Sequence, residues 1–159
     1  MKQPRNPLRI NVGFLLKQPF GTSRDIHFEF PELHLQPDLD LTDFAGAARI
    51  SRTPQGIFLL GDFRGTVTAA CVRCLTDFNQ PLHTKFEELF AFDKRSETDS
   101  ELILPEDGSI DMEPLVREYL LIEVPISQLC KEDCAGLCTF CGINLNEVQG
   151  EHVHLEEID

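Results

Sequence analysis

Four of the six cysteines fall in one run, Cys130-Lys-Glu-Asp-Cys134-Ala-Gly-Leu-Cys138-Thr-Phe-Cys141-Gly142, and the other two form Cys71-Val-Arg-Cys74. Thiolates are soft anionic donors, and tetrahedral zinc takes four of them at about 2.3 Å each. A C-x-x-C turn lets two sulfurs reach one ion while backbone N–H groups point back at them. Gly142 suits the turn around Cys141 because glycine takes a positive φ at little cost. Downstream stands His152-Val-His154. Alternate residues of an extended segment point the same way, so both imidazoles can face one ion. Six thiolates and two imidazoles suffice for two four-coordinate ions. The expected partition puts Cys71, Cys74, Cys130 and Cys134 on one zinc, with Cys138, Cys141, His152 and His154 on a second, weaker one. A rival partition puts Cys130, Cys134, Cys138 and Cys141 on a single ion and leaves the upstream pair free.

Other chemistries compete for the same residues. Free cysteines can pack as small hydrophobes, but short-spaced pairs are a poor fit to that role. Disulfides need an oxidising compartment, and the opening Met-Lys-Gln-Pro-Arg-Asn-Pro leads into no apolar signal core, which points to the cytoplasm. A thioredoxin-type C-x-x-C follows a strand and opens a helix, whereas Cys71 lies between two strand-like runs. Histidines in an acidic tail can also be merely solvated.

The elements that must position these side chains read as one α+β domain over residues 1–146, followed by an acidic tail, 147–159. At 159 residues and 42% apolar content the chain can bury a core, and it has no membrane-length apolar run. Its formal charge of −13 is uneven. Residues 1–96 hold 12 Lys/Arg against 11 Asp/Glu, while residues 97–159 hold 2 against 16. The acidic half opposes tight binding of naked nucleic acid.

Alternation places Ile10, Val12 and Phe14 on one strand face, and Ile26, Phe28 and Phe30 on another. The turn-rich Lys17–Arg24 between them predicts a hairpin. Leu39–Ile50 reads as a further strand broken at Gly46, and Ile57–Ala70 as a long one bent at Gly61 and Gly65. Leu82, Thr84, Phe86, Glu88, Phe90 and Phe92 alternate along the next strand, with Pro81 near its start. Cys71 and Cys74 then sit at the tip between two strands. Residues 93–109 are polar and read as a loop. Asp111 can cap a helix with Glu113 and Pro114 in its first turn. Met112, Leu115, Val116, Tyr119 and Leu120 make its buried stripe, and Pro125 stops it. This helix is expected to pack on the sheet and carry Cys130 and Cys134 towards the Cys71–Cys74 tip.

The order Cys71-Val-Arg-Cys74-Leu75, an acidic loop, a helix, a proline, then Cys-x3-Cys-x-Gly-Leu-Cys-x2-Cys-Gly-x-Asn-Leu-Asn resembles the YceD-like family of bacterial and plastid proteins. The likeness covers most of residues 8–146 and is specific at 71–75 and 130–146. Relatives often end in Cys-x-Cys where His152-Val-His154 stands here. The resemblance implies an antiparallel sheet with one main helix and a cysteine-rich zinc-knuckle C-terminal segment. It also implies a role in accumulation of large-subunit ribosomal RNA. Because cysteine-saturated metal sites are poor Lewis acids, the expected protein is a non-enzymatic factor, read as a monomer. Its partner would be a pre-ribosomal particle or a ribosome-associated protein. No Ser-His-Asp pattern or Gly-rich phosphate loop suggests catalysis. Two other classes stay open: a thiol redox protein using Cys71 and Cys74, and a zinc-ribbon RNA binder with Arg49, Arg52, Arg64 and Arg73 on one basic face.

Overall fold

Two compact units divide the chain in the computed structural model, which describes residues 6–148, 150 and 152. The first comprises Met1–Val67 and Pro81–Glu123, the second Thr68–Gln80 and Val124–Asp159.

A four-stranded antiparallel sheet in the order β2-β3-β4-β5 is formed by β2 (Ser23–Leu35), β3 (Leu39–Arg52), β4 (Gly56–Ala70) and β5 (Asp77–Ala91). All of it but the last three residues of β4 and the first four of β5 belongs to the first unit. β1 (Arg9–Asn11) and β6 (Ser109–Asp111) pair separately, Ile10 opposite Ile110. Apolar residues at alternate positions of β4 and β5 are buried, from Ile57 through Phe63 to Ala69 and from Leu82 to Phe90. In β2 and β3 the buried parity changes along the strand, from Phe44 to Leu41 and Leu33. The change coincides with Asp43 at φ 50° and a register shift between Thr42 and Ala45, as a bulge produces.

Aromatic rings cross the sheet. Phe63 is fully buried and lies 5.6 Å from Phe44, 6.0 Å from Phe28 and 6.1 Å from Phe86, centre to centre. Phe86 in turn stacks on Tyr119 at 4.5 Å. Gly61 is expected from sequence to bend its strand; it instead makes room, since a Cβ there would meet the Phe86 ring at 2.5 Å.

The helix α1 (Glu113–Ile122) buries Val116 and Leu120, with Leu115 and Tyr119 beside them, the stripe its periodicity predicts. Met112 occupies the N-cap, and Asp111 still accepts the Glu113 N–H at 3.0 Å. Glu113 and Arg117 reach the β2–β3 turn, at the Gln36 N–H (2.7 Å) and Asp38 (2.6 Å).

Several local expectations need correction. Residues 9–16 are not one strand: β1 stops at Asn11, Gly13–Lys17 is a 3-10 turn, and β2 pairs with β3 rather than β1. Pro81 lies inside β5, not near its start. β5 is an edge strand of its sheet, the place where proline is tolerated within strands.

The buried Glu88 accepts the Tyr119 hydroxyl at 2.6 Å. That bond, reinforced by burial, pushes the phenol up to about 12. The shift is upward from about 10, the ordinary tyrosine value. The bond's contribution is therefore whole below the ordinary value and disappears as pH rises through about 12. Tyr119→Phe is expected to cost about 1–3 kcal/mol at neutral pH by leaving a buried carboxylate oxygen without its donor. Urea unfolding checks this, and the gap between the two proteins should close in strong base.

Candidate metal centre

Between β4 and β5 the chain turns through Cys71–Thr76. The Cys71 N–H donates to Thr76 O at 3.0 Å and the Leu75 N–H to Cys71 O at 2.9 Å. Leu75 closes the turn at φ 61°. Val72 N–H reaches Gln128 O at 2.9 Å, joining this tip to the chain beyond the helix.

That junction gathers four thiols. Cys71 Sγ lies 3.7 Å from Cys134 Sγ, and Cys74 Sγ lies 3.7 Å from Cys130 Sγ. All four sulfurs are within 4.8 Å of one another. Disulfide sulfurs would stand about 2.04 Å apart, and every cysteine is free. Metal–thiolate bonds of about 2.3 Å give a tetrahedron with edges of about 3.8 Å, the spacing seen here. Cys71, Cys74 and Cys134 are buried, with Phe78, Leu129 and Leu137 packed around them. The cluster can hold a metal ion.

Its electrostatics are compatible with a cation. The Cys74 backbone N–H, with those of Cys130 and Arg73 and against the opposing effect of burial, lowers the Cys71 thiol to about 6. The Thr76 hydroxyl and N–H lower Cys74. Burial first, then the neighbouring sulfurs of Cys74, Cys134 and Cys71, push Cys130 up to about 12. Amide donors thus favour thiolates while crowding forbids four of them together, unless a cation sits among them.

A second group brings Cys138, Cys141 and His152 together, with Cys141 Sγ 3.4 Å from His152 Nε2. Cys138 is buried and Cys141 exposed. Cys138 N–H bonds Ile143 O at 2.8 Å, Gly142 N–H bonds Cys138 O at 2.9 Å, and Gly142 takes φ 75°, the positive φ that the C-x-x-C-G spacing calls for. The fourth expected ligand, His154, lies outside the described residues. Cys71, Cys74, Cys130 and Cys134 thus lie together in one group, and Cys138, Cys141 and His152 in the other.

Asn146 went unremarked as a functional residue. Its Nδ2 donates to Cys134 Sγ at 3.2 Å and its Oδ1 accepts the Ala135 N–H at 2.9 Å. The signal for it was the Asn144-Leu145-Asn146 stretch after the last cysteine pair, since an amide side chain both donates and accepts. Thr76 was missed in the same way.

The chain is an α+β protein, mostly antiparallel sheet with one helix, carrying two side-chain clusters that could hold metal. Residues 59–159 match the family described as large ribosomal RNA subunit accumulation protein YceD, and the chain belongs to that family. It is similar to an uncharacterised protein of Mycobacterium tuberculosis strain H37Rv, 32% identical over 127 residues, covering 77% of this chain and 56% of the relative. An uncharacterised Mycobacterium leprae protein is 29% identical over 110 residues, 67% of this chain and 50% of its own. Uncharacterised protein YlbN of Bacillus subtilis is 31% identical over 70 residues, 43% of this chain and 41% of its own. The chain spans about half the length of the mycobacterial relatives it matches. No solved structure gives a significant match. Among the described residues no helix is long and apolar enough to cross a membrane.

Proposed function

We propose that this chain is a non-enzymatic factor supporting large-subunit ribosomal RNA accumulation, with a second unit organised on zinc and acting through protein or ribonucleoprotein contacts on a pre-ribosomal particle. Family membership is the observation that carries the biological role. The sulfur geometry supports the metal: four thiolates saturate a tetrahedral zinc, leave no position for a reactive water, and make it a structural ion. The thiol redox alternative draws support from the lowered Cys71 thiol. It is opposed by burial, because Cys71 is 0% exposed and a redox thiolate must meet its substrate. The RNA-binding alternative on Arg49, Arg52, Arg64 and Arg73 loses three cations to internal partners, Arg52 among them at Gln18 O (3.3 Å). Arg49 is held by Asp25 at 2.7 Å, and Arg73 donates to Cys134 O at 3.1 Å.

Co-purification of the tagged protein from cells, with and without nuclease, tests the role. Large-subunit precursors and their proteins should be recovered, and cells lacking the protein should be depleted of large-subunit ribosomal RNA. Recovery of no ribosomal component, with normal large-subunit RNA levels, contradicts the proposal.

The Asn146 amide donates to a ligand sulfur, as partners beyond the ligand shell do in metal sites. Asn146→Ala is expected to weaken zinc binding about 10–100-fold, read by competition with a chromogenic chelator. Unchanged affinity would show that the N–H···S contact is incidental.

A further inference from the structure

One end of the first unit departs from the acidic character of the chain. Phe14, Phe20 and Phe92 are all exposed there, Phe20 at 65%. The Arg24 guanidinium lies 4.4 Å over the Phe14 ring, and Arg52 lies 5.3 Å from Phe20 and 5.0 Å from Phe92. The backbone ties these residues together: Gly21 and Thr22 exchange bonds with Arg52, and Phe92 N–H reaches Gln55 O. Lys94 and Arg95 follow Phe92 in a turn whose carboxylate, Asp93, accepts the amides of Arg95 and Ser96.

No described cation of this end is paired with a carboxylate, although Arg52 Nε donates to the Gln18 carbonyl at 3.3 Å. Among the described residues of the unit, Arg9, Arg49, Lys85 and Arg117 each hold a carboxylate, whereas Arg24, Arg52, Lys94 and Arg95 at this end hold none, as do Lys17 and Arg64. In a chain of net charge −13, a cluster of cations around open aromatic rings suits a partner that is both anionic and rich in flat rings. Phosphates suit the cations, and unpaired bases stack on phenyl rings and on guanidinium planes.

We propose that this end binds a single-stranded RNA segment, with Phe20 and the ring-stacked Arg52 as a base platform and Arg24, Lys94 and Arg95 facing phosphates. The inference rests on the ribosomal role and names a contact within it. The acidic second half keeps the binding weak. It is therefore an auxiliary contact, made when another interaction has already brought the protein to its particle.

Fluorescence anisotropy with a labelled single-stranded RNA of about ten nucleotides tests it. Binding is expected at low salt, with a log–log salt slope of about −2, the value for about three phosphates on a single strand. It should fade by about 150 mM salt. Phe20→Ala should weaken it about tenfold, and the pair Lys94→Gln/Arg95→Gln should flatten the slope by about one unit. Absence of binding at low salt, equal affinity for a duplex of the same sequence, or wild-type behaviour of both variants overturns the proposal. So does Phe20-dependent binding of a Glu-rich peptide where RNA fails, which would assign the surface to a protein. Particle co-purification is measured separately, so failure here leaves the ribosomal role standing.

Discussion

Replacing Cys71 by serine is expected to remove the tightly held zinc and to open the second unit while the sheet of the first stays folded. Cys71 is fully buried, sits 3.7 Å from Cys134, and belongs to the four-sulfur group. A serine hydroxyl there would leave three thiolates crowded in an apolar pocket without a complete ligand shell. Structural zinc contributes apparent binding free energies of about 10–16 kcal/mol in small domains, so losing the site outweighs any other single change in that unit. Hydrogen exchange should quicken at Cys71, Val72, Cys134 and Cys138, whose amides are bonded within the unit. Amides of β2 and β3 should keep their protection. The outcome also separates the two ligand partitions. If Cys130, Cys134, Cys138 and Cys141 shared one ion, Cys71→Ser would retain full zinc and stability, and the four-sulfur cluster described here would not be the metal site.

The largest expected effect in the first unit is at Phe63. Phe63→Ala should cost about 3–5 kcal/mol, the transfer loss of the ring plus the cavity it leaves. The ring touches Phe28, Phe44 and Phe86 at once, so no one neighbour can fill the space. The chain has one tyrosine and no tryptophan, and Tyr119 stacks on Phe86, so intrinsic tyrosine emission reports this unit in a urea titration. Zinc content should not change. A cost below about 1 kcal/mol, the range of ordinary surface changes, would mean that the aromatic row is not the centre of the core.

Much of this was legible in the sequence because the signals are local. Alternation located β4 and β5 and set the cysteine tip between them, and helical periodicity marked the buried face of α1. Short cysteine spacings, together with the family resemblance, led to both clusters. Strand partnership was not legible. Ile10 and Val12 alternate with polar neighbours as a strand should, but alternation says nothing about which distant segment completes the pair. β1 pairs across about a hundred residues with β6, in a stretch that reads as the end of a loop and the cap of the helix. Asn146 shows a different limit: an asparagine becomes a sulfur's hydrogen-bond donor only once the fold turns it back onto Cys134.

Metal content decides whether the four sulfurs around Cys71 hold zinc. The protein should be purified reduced and without chelator, then analysed for zinc per chain beside Cys71→Ser. At least one equivalent in the wild type, falling by one in the variant, is the predicted result. Well under one zinc per chain in the wild type contradicts it.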